Sequence, residues 1–383
     1  MPCRAHIFGS EMNIKIGIAL LALVLSGCGM GGIFGLGVHT QKTVVRPPSD
    51  VQVILTVSNG SQPVDHLAEH NFKIYENDLL LDRNEIGLRL LPKTSMTAGF
   101  TVLLVDVSGQ PDESALRRIE RGATHLVEKI SVTQPVAVVV FDGSARPREV
   151  ARFSQVERAT VRPVPSLKPF LSGDQSRDVN GALLSVIRGV QLELTKTKKE
   201  AQFGTIITLL QGPDLAGRTD EGAVRKAIFE SGYTFISVAP KGASIDGLSL
   251  IGHTRQYEFD TMDTLPMQLS DVGMHVRALF NSHYVLSYCS PGRAGERKLK
   301  VVVKSERDSG MNQRGSTKTK FSAQGFVGGC TEGGAPKLVK LTPTPAAPPA
   351  AAPPASTDSA PTASDAGEQE EVIVPPPSSG KYE

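Results

Sequence analysis

The apolar residues of this chain change their spacing twice, and that change limits the fold more than any other feature. Over residues 51–57 they alternate, with Val51, Val53, Leu55 and Val57 on one face, as in a strand half-buried in a sheet. Residues 72–75, 79–81 and 86–91 read as further short strands, set apart by turn-rich stretches that include Asn59-Gly60 and Asn77-Asp78. From Thr101 the pattern is of another kind. Val102-Leu103-Leu104-Val105 is a continuous apolar run, as a strand covered on both faces requires. Leu116, Ile119, Ala123, Leu126 and Ile130 follow at helical spacing. Strands over 136–141, 206–210 and 235–239 then alternate with helices over 183–194, 221–230 and 264–281. Such alternation predicts an α/β fold, a doubly wound and mostly parallel sheet flanked by helices. Beyond it the chain returns to strands over 284–288, 299–303 and 319–323.

The two flanks belong together. About four strands precede the α/β unit and about three follow it, close to the roughly seven of an immunoglobulin-like sandwich. Neither flank is long enough to bury a core alone. We therefore expect 50–98 and 283–331 to pair into one small β-sandwich, with the α/β domain of 99–282 inserted between them. A separate small β domain on each side is the alternative. Residues 28–49 are Gly-rich and then Pro-containing, the composition of a flexible tether. Residues 332–383 are dominated by Pro, Ala, Ser and Thr, with an acidic cluster at Glu368, Glu370 and Glu371. They lack the apolar side chains that offset ordering entropy and are expected to be disordered. A net charge of +2 leaves no electrostatic footprint for nucleic acid, so no nucleic-acid partner is expected.

The N-terminus has the layout of a secretory signal. Lys15 supplies a positive charge before a short apolar run over 16–25 that is too short to span a bilayer. The next residues complete Leu25-Ser26-Gly27-Cys28, which resembles the lipobox of bacterial lipoproteins. The resemblance implies a signal peptide over 1–27, with Met12 as its start, and a diacylglycerol and further acyl chain (such as palmitate) on Cys28. Several acyl chains give stable membrane anchoring. Gly29 in place of Asp implies export to the outer membrane of the cell envelope, with either facing open. After processing, Cys289 and Cys330 remain; two thiols in an exported chain point to one disulfide rather than a four-ligand zinc site.

The stretch Phe100-Thr-Val-Leu-Leu-Val-Asp106-Val-Ser108-Gly-Gln110 resembles the first strand and metal loop of a von Willebrand factor type A domain, written Asp-x-Ser-x-Ser in that family. The later strands and helices follow in the family's order to Asn281. The flanks add to the likeness. Asn71-Phe72-Lys-Ile-Tyr75-Glu76 is similar to an Asp-Phe-x-Val-x-Glu-Asp-Gly stretch of the exported "VWFA-related" proteins of acidobacterial type. Tyr284-Val-Leu-Ser-Tyr288-Cys-Ser-Pro291, Arg297-Lys-Leu-Lys-Val-Val-Val303 and Gly325-Phe326 are similar to that subgroup's tail. The resemblance implies a membrane-anchored, exported interaction protein that binds an envelope or extracellular protein through the loops at the carboxyl ends of the strands. Gln110, Ser176, Asp178, Gln211 and Asp214 lie on those loops.

The family's metal site is incomplete here. Asp106 and Ser108 are present as candidate Mg²⁺ ligands, but Gln110 stands at the second Ser, Arg177 at the Thr of the second loop and Gln211 at the Asp of the third. Mg²⁺ relies on one or two carboxylates, and a guanidinium about 4 Å away repels it by ~4 kcal/mol per unit of ion charge at an effective dielectric of ~20. A degenerate site without cofactor follows, in which Arg177 either replaces the metal as partner of Asp106 or points to solvent. A Mg²⁺-dependent adhesin is the rival reading. A zinc hydrolase is the remaining rival: His66-Leu67-Ala68-Glu69-His70 fits the inverted zinc-protease signature, but Pro63 and the strand from Phe72 leave no helix to hold it. No nucleophile elbow or phosphate loop is present, so an enzyme is not expected.

Overall fold

The computed structural model describes residues 35–144, 146–154, 162–171, 174, 176–243, 251–292, 294–306 and 312–327, all within one compact unit. It opens with six strands: β1 (Gly37–Arg46), β2 (Asp50–Asn59), β3 (Gln62–Pro63), β4 (Phe72–Glu76), β5 (Leu79–Leu80) and β6 (Arg89–Leu91). The strand β1 corrects the expected tether over 28–49. Its β-branched residues pair antiparallel with β2 from Gly37 opposite Ser58 to Arg46 opposite Asp50, with a bulge at Gln41. Composition had hidden this strand, because its side chains are mostly polar and half-exposed. Asn77 and Asp78, both at positive φ (48° and 66°), form the tight turn between β4 and β5, the backbone that a two-residue hairpin requires. The strand expected over 86–91 shrinks to β6. Asp82 Oδ1 accepts from the backbone N of Asn84 (2.8 Å) and Glu85 (3.2 Å), which winds the chain into turns while Ile86 and Leu88 stay buried.

The central domain begins with β7 (Thr97–Asp106) and continues through α1 (Glu113–Ile130), β8 (Val136–Phe141), β9 (Arg148–Phe153), α2 (Val179–Lys196), β10 (Ala201–Leu209), α3 (Glu221–Ser231), β11 (Thr234–Pro240), β12 (Arg255–Phe259) and α4 (Leu265–Asn281). The three helices α1, α2 and α3 start at aspartate N-caps, Asp112, Asp178 and Asp220, each accepting from the backbone N three residues on. Strand order is β12-β11-β10-β7-β8-β9, parallel throughout except for β9. One face packs on α1 and α4 through Leu116, Ile119, Leu126, Leu269 and Val276; the other packs on α2 and α3 through Leu183, Ile187, Val224 and Ile228. The edge strands β9 and β12 carry no continuous apolar run, only half-buried alternation with charges, so periodicity did not reveal them.

The chain then closes with β13 (His283–Cys289), β14 (Glu296–Glu306) and β15 (Asn312–Ser322). One flanking sheet has the order β1-β2-β13-β6 and the other β15-β14-β4-β5, so each draws strands from both sides of the central domain. Between them lie Val51, Val53, Leu55, Phe72, Ile74, Tyr284, Leu286, Val301 and Val303. On the outer face of the first sheet, Ile54 and Val285, directly opposite each other, pack with Met96, just before β7, and with Ala201 of the central domain. That second contact explains why β2 is buried on both faces near its middle. One buried carboxylate of the sandwich, Glu76, is paired at both oxygens. Tyr288 Oη donates to Glu76 Oε1 (3.0 Å), and Arg297 Nε to Glu76 Oε2 (3.2 Å). Cys289 is disulfide-bonded. Cys28, Cys330, the signal over 1–27 and the tail over 332–383 lie outside the described residues.

Candidate functional site at the strand ends

In a doubly wound sheet the chain leaves neighbouring strands on opposite faces at one point, and ligands bind in the crevice at the carboxyl ends there. Here that point lies beside β7, whose last residue is Asp106. Its carboxylate has no solvent exposure and is held from four sides. Oδ1 accepts from Ser108 N (3.0 Å) and Ser108 Oγ (2.6 Å). Oδ2 accepts from Gln211 N (2.9 Å) and from Arg177 Nε (2.5 Å). Arg177 therefore lies in the crevice as the ion-pair partner of Asp106, its side chain 9% exposed. Its Nη1 donates to Pro213 O (3.0 Å), and its backbone O accepts from Leu215 N and Ala216 N. Gly212 makes room for this. A Cβ there would come 2.5 Å from Arg177 Nη1, closer than non-bonded atoms approach.

The remaining predicted loop residues knit the loops to one another. Gln211 Nε2 donates to Asp106 O (2.9 Å). Asp178 caps α2 through Gly181 N (2.9 Å), and its own backbone N donates to Asp142 O at the end of β8. Asp214 Oδ2 accepts from Asn180 N (2.9 Å) and Asp214 Oδ1 from Gly217 N (2.9 Å), tying the loop after β10 to the first turn of α2. Gln110 is exposed at positive φ (47°). Ser176 donates through both N (3.0 Å) and Oγ (2.6 Å) to Asp174 Oδ1.

A pattern missed in the sequence organises the face. Asp106-Val-Ser108 recurs as Asp142-Gly-Ser144 and Asp174-Gln-Ser176, and in each the serine N donates to the aspartate Oδ1, at 3.0, 2.7 and 3.0 Å. Each aspartate also faces an arginine. Arg148 Nη2 lies 2.7 Å from Asp142 Oδ2, and Arg218 Nη2 lies 3.7 Å from Asp174 Oδ2. A Cβ on Gly143 would strike Ser176 Oγ and Asp174 Oδ1, so the second and third units touch. The signal was legible: an Asp-x-Ser directly after the apolar run Val136–Phe141 repeats the one after β7.

This donor set does not fit a divalent cation. Both oxygens of Asp106 are taken up by protein donors, one of them a cation, and a fixed guanidinium repels Mg²⁺. Among the described residues no three His, Cys, Asp or Glu side chains gather as a metal requires. His66 and His70 are exposed. His70 lies in the three-residue 3₁₀ turn Glu69–Asn71, which cannot align ligands four residues apart as an α-helix does.

No protein-family model and no curated protein sequence matches this chain. Among solved structures it is similar to a von Willebrand factor type A protein from Catenulispora acidiphila, at 9% identity over 75% of this chain and 72% of that one, with a TM-score of 0.40. It is also similar to the manganese-loaded TRAP protein of Plasmodium vivax (11% identity, 65% of this chain, 96% of that one, TM-score 0.35) and to the SpRpn10 VWA domain (12%, 46%, 93%, 0.31). Strand order and the crossovers themselves define the fold of this chain: a mixed α/β architecture with a mostly parallel sheet flanked by helices.

Proposed function

We propose that this chain is an exported, lipid-anchored interaction protein whose von Willebrand-like domain binds an envelope or extracellular protein through the loops at its strand ends, without a divalent cation. One observation carries the reading: the Asp106–Arg177 pair closes the crevice with protein donors and holds the loops after β7, before α2 and after β10 as one preformed surface. A preformed surface loses little ordering entropy on binding, which suits recognition. Gln110 and Leu215 (62% exposed) are solvent-exposed on that surface. Lipid on Cys28 supplies the anchor and the outer membrane the location.

Two experiments test the reading. Photo-crosslinkers placed at Gln110 and at Leu215 in the native envelope should trap the same discrete protein, with a yield unchanged by a chelator. Absence of any adduct, or its loss on chelation, would count against it. Separately, Cys28→Ser should release the protein from membranes or leave its precursor uncut, and a processed, membrane-bound variant would remove the anchor from the proposal.

A further inference from the structure

The outward face of the second flanking sheet is strongly basic, in a chain whose charges otherwise nearly cancel. Register sets this. In β14 the odd residues Leu299, Val301 and Val303 point into the sandwich core, so the even ones point out. Across to β15, Lys298 stands opposite Lys320, Lys300 opposite Lys318 and Lys304 opposite Arg314. On the other side Lys73 of β4 stands opposite Val302 and extends the same face. Among the described side chains the one acid on it is Glu296, which pairs with Lys320 at 2.8 Å. Like charges directly opposite one another on a sheet are destabilising. Three such pairs on one face, interrupted only by Val302 opposite Ser316, have no structural benefit to the fold, which leaves a partner as their reason.

Three further features indicate what that partner is. Tyr75 lies opposite Lys300 on this face, its ring 5.5 Å below the ammonium, and Leu80 lies opposite Tyr75. Leu79 and Leu80, on the hairpin at the sheet's edge, are 72% and 53% exposed. Lysines, a tyrosine and exposed leucines together match the boundary between lipid headgroups and acyl chains, where amphipathic rings and apolar tips are favoured. The third feature is position. Leu36 N donates to Arg314 O (3.1 Å), so the chain enters the fold against β15, the strand that bears half the basic pairs. Cys28 is eight residues before Leu36 in sequence, at most about 28 Å of chain.

We propose that this face, on β4, β14 and β15 with the β4–β5 hairpin, lies on the membrane and binds the phosphate groups of anionic phospholipids. It would act as the second attachment beside the lipid on Cys28 and hold the strand-end loops in a fixed attitude to the bilayer. Acyl chains joined to a polybasic surface give firmer attachment than either alone. The inference shares the anchor at Cys28 with the functional reading, so its test uses protein without lipid.

The processed chain, residues 28–383 with Cys28→Ser, is sedimented with vesicles of phosphatidylglycerol and phosphatidylcholine, and with vesicles of phosphatidylcholine alone. It should bind the first and not the second, and release at 0.5 M salt, where charges are screened within a few ångströms. Each basic residue near an anionic surface contributes about fivefold, so Lys298→Glu/Lys300→Glu/Lys318→Glu should weaken binding by on the order of a hundredfold or more. Lys196→Glu/Lys226→Glu/Lys241→Glu, at three exposed lysines elsewhere, is the charge-matched control and should bind nearly as the parent does. Leu79→Ser/Leu80→Ser should weaken binding in a way that salt does not reproduce. Equal binding to both vesicle types, an equal loss in the control, or tighter binding to an oligonucleotide than to vesicles would overturn the proposal. Failure of the anchor would show separately, in the fractionation of Cys28→Ser cells.

Discussion

Asp106 and Asp142 end neighbouring strands, both fully buried, each in an Asp-x-Ser turn and each facing an arginine, yet the two pairs do different work. Arg148 is six residues from Asp142, on the strand that hairpins back beside it, and its side chain is 36% exposed. That pair closes a local turn, and the same Nη2 reaches Phe170 O (2.5 Å), 22 residues away. Arg177 is 71 residues from Asp106, its side chain 9% exposed, and it also holds Pro213 O. It joins three loops that nothing in the chain's connectivity brings together. The same chemistry is thus a local clasp in one place and the keystone of a surface in the other, and the difference lies in sequence separation and burial.

Several measurements would break or sharpen this contrast. Arg177→Ala leaves Asp106 buried without its cation, and should destabilise by about 3–5 kcal/mol in denaturant unfolding; a loss below 1 kcal/mol would reduce Arg177 to the rank of Arg148. An acid effect of similar size comes from the opposite end of the sheet and must be separated from the pairs. Burial holds His283, against Phe203, down to about 4 from its usual 6.5. The unfolded chain then takes up the proton first, so stability is full above about pH 6.5 and is lost as pH falls toward 4, by on the order of 3 kcal/mol. His283→Phe should flatten that part of the pH profile, and an unchanged slope would place the acid sensitivity elsewhere.

Gly212→Ala pushes a methyl into the Arg177 guanidinium and should cost about 2 kcal/mol. In Arg177→Ala/Gly212→Ala the two losses should be far from additive, since the second has lost its clash. Arg148→Ala should cost only about 1 kcal/mol, because a half-exposed partner is replaced in part by water. Smallest of all, millimolar Mg²⁺ or Mn²⁺ should leave the melting temperature of the parent unchanged, and a clear rise would mean that Arg177 yields its place to an ion.

Legibility in the sequence followed how locally each feature is determined. Strand β7 and helices α1, α2 and α4 were visible because their apolar residues repeat at one period over two or more turns or a full buried strand. Strands β1, β9 and β12 were not, since edge strands are half-solvated and carry Lys, Arg and Glu like any loop. At the site, Asp106, Ser108 and the departures at Gln110, Arg177 and Gln211 were readable from one strand-end pattern. Asp142, Asp174 and Gly212 were passed over, although the first two repeat that pattern.

By itself the sequence determined the elements: the period of each apolar run, the aspartates that start α1, α2 and α3, and the Asn77-Asp78 turn. These are energies of neighbouring residues, and they are the same wherever the segment ends up. Only the tertiary structure decided that β2 pairs with β13 and β4 with β14, joining strands more than 200 residues apart in sequence. The same register aligned Lys298 with Lys320 and Lys300 with Lys318 on one face, and the packing of α2 on the sheet turned Arg177 toward Asp106. Pairings of this kind depend on which surfaces remain to be buried once the elements exist, and a buried carboxylate takes whichever cation the assembled fold brings within reach.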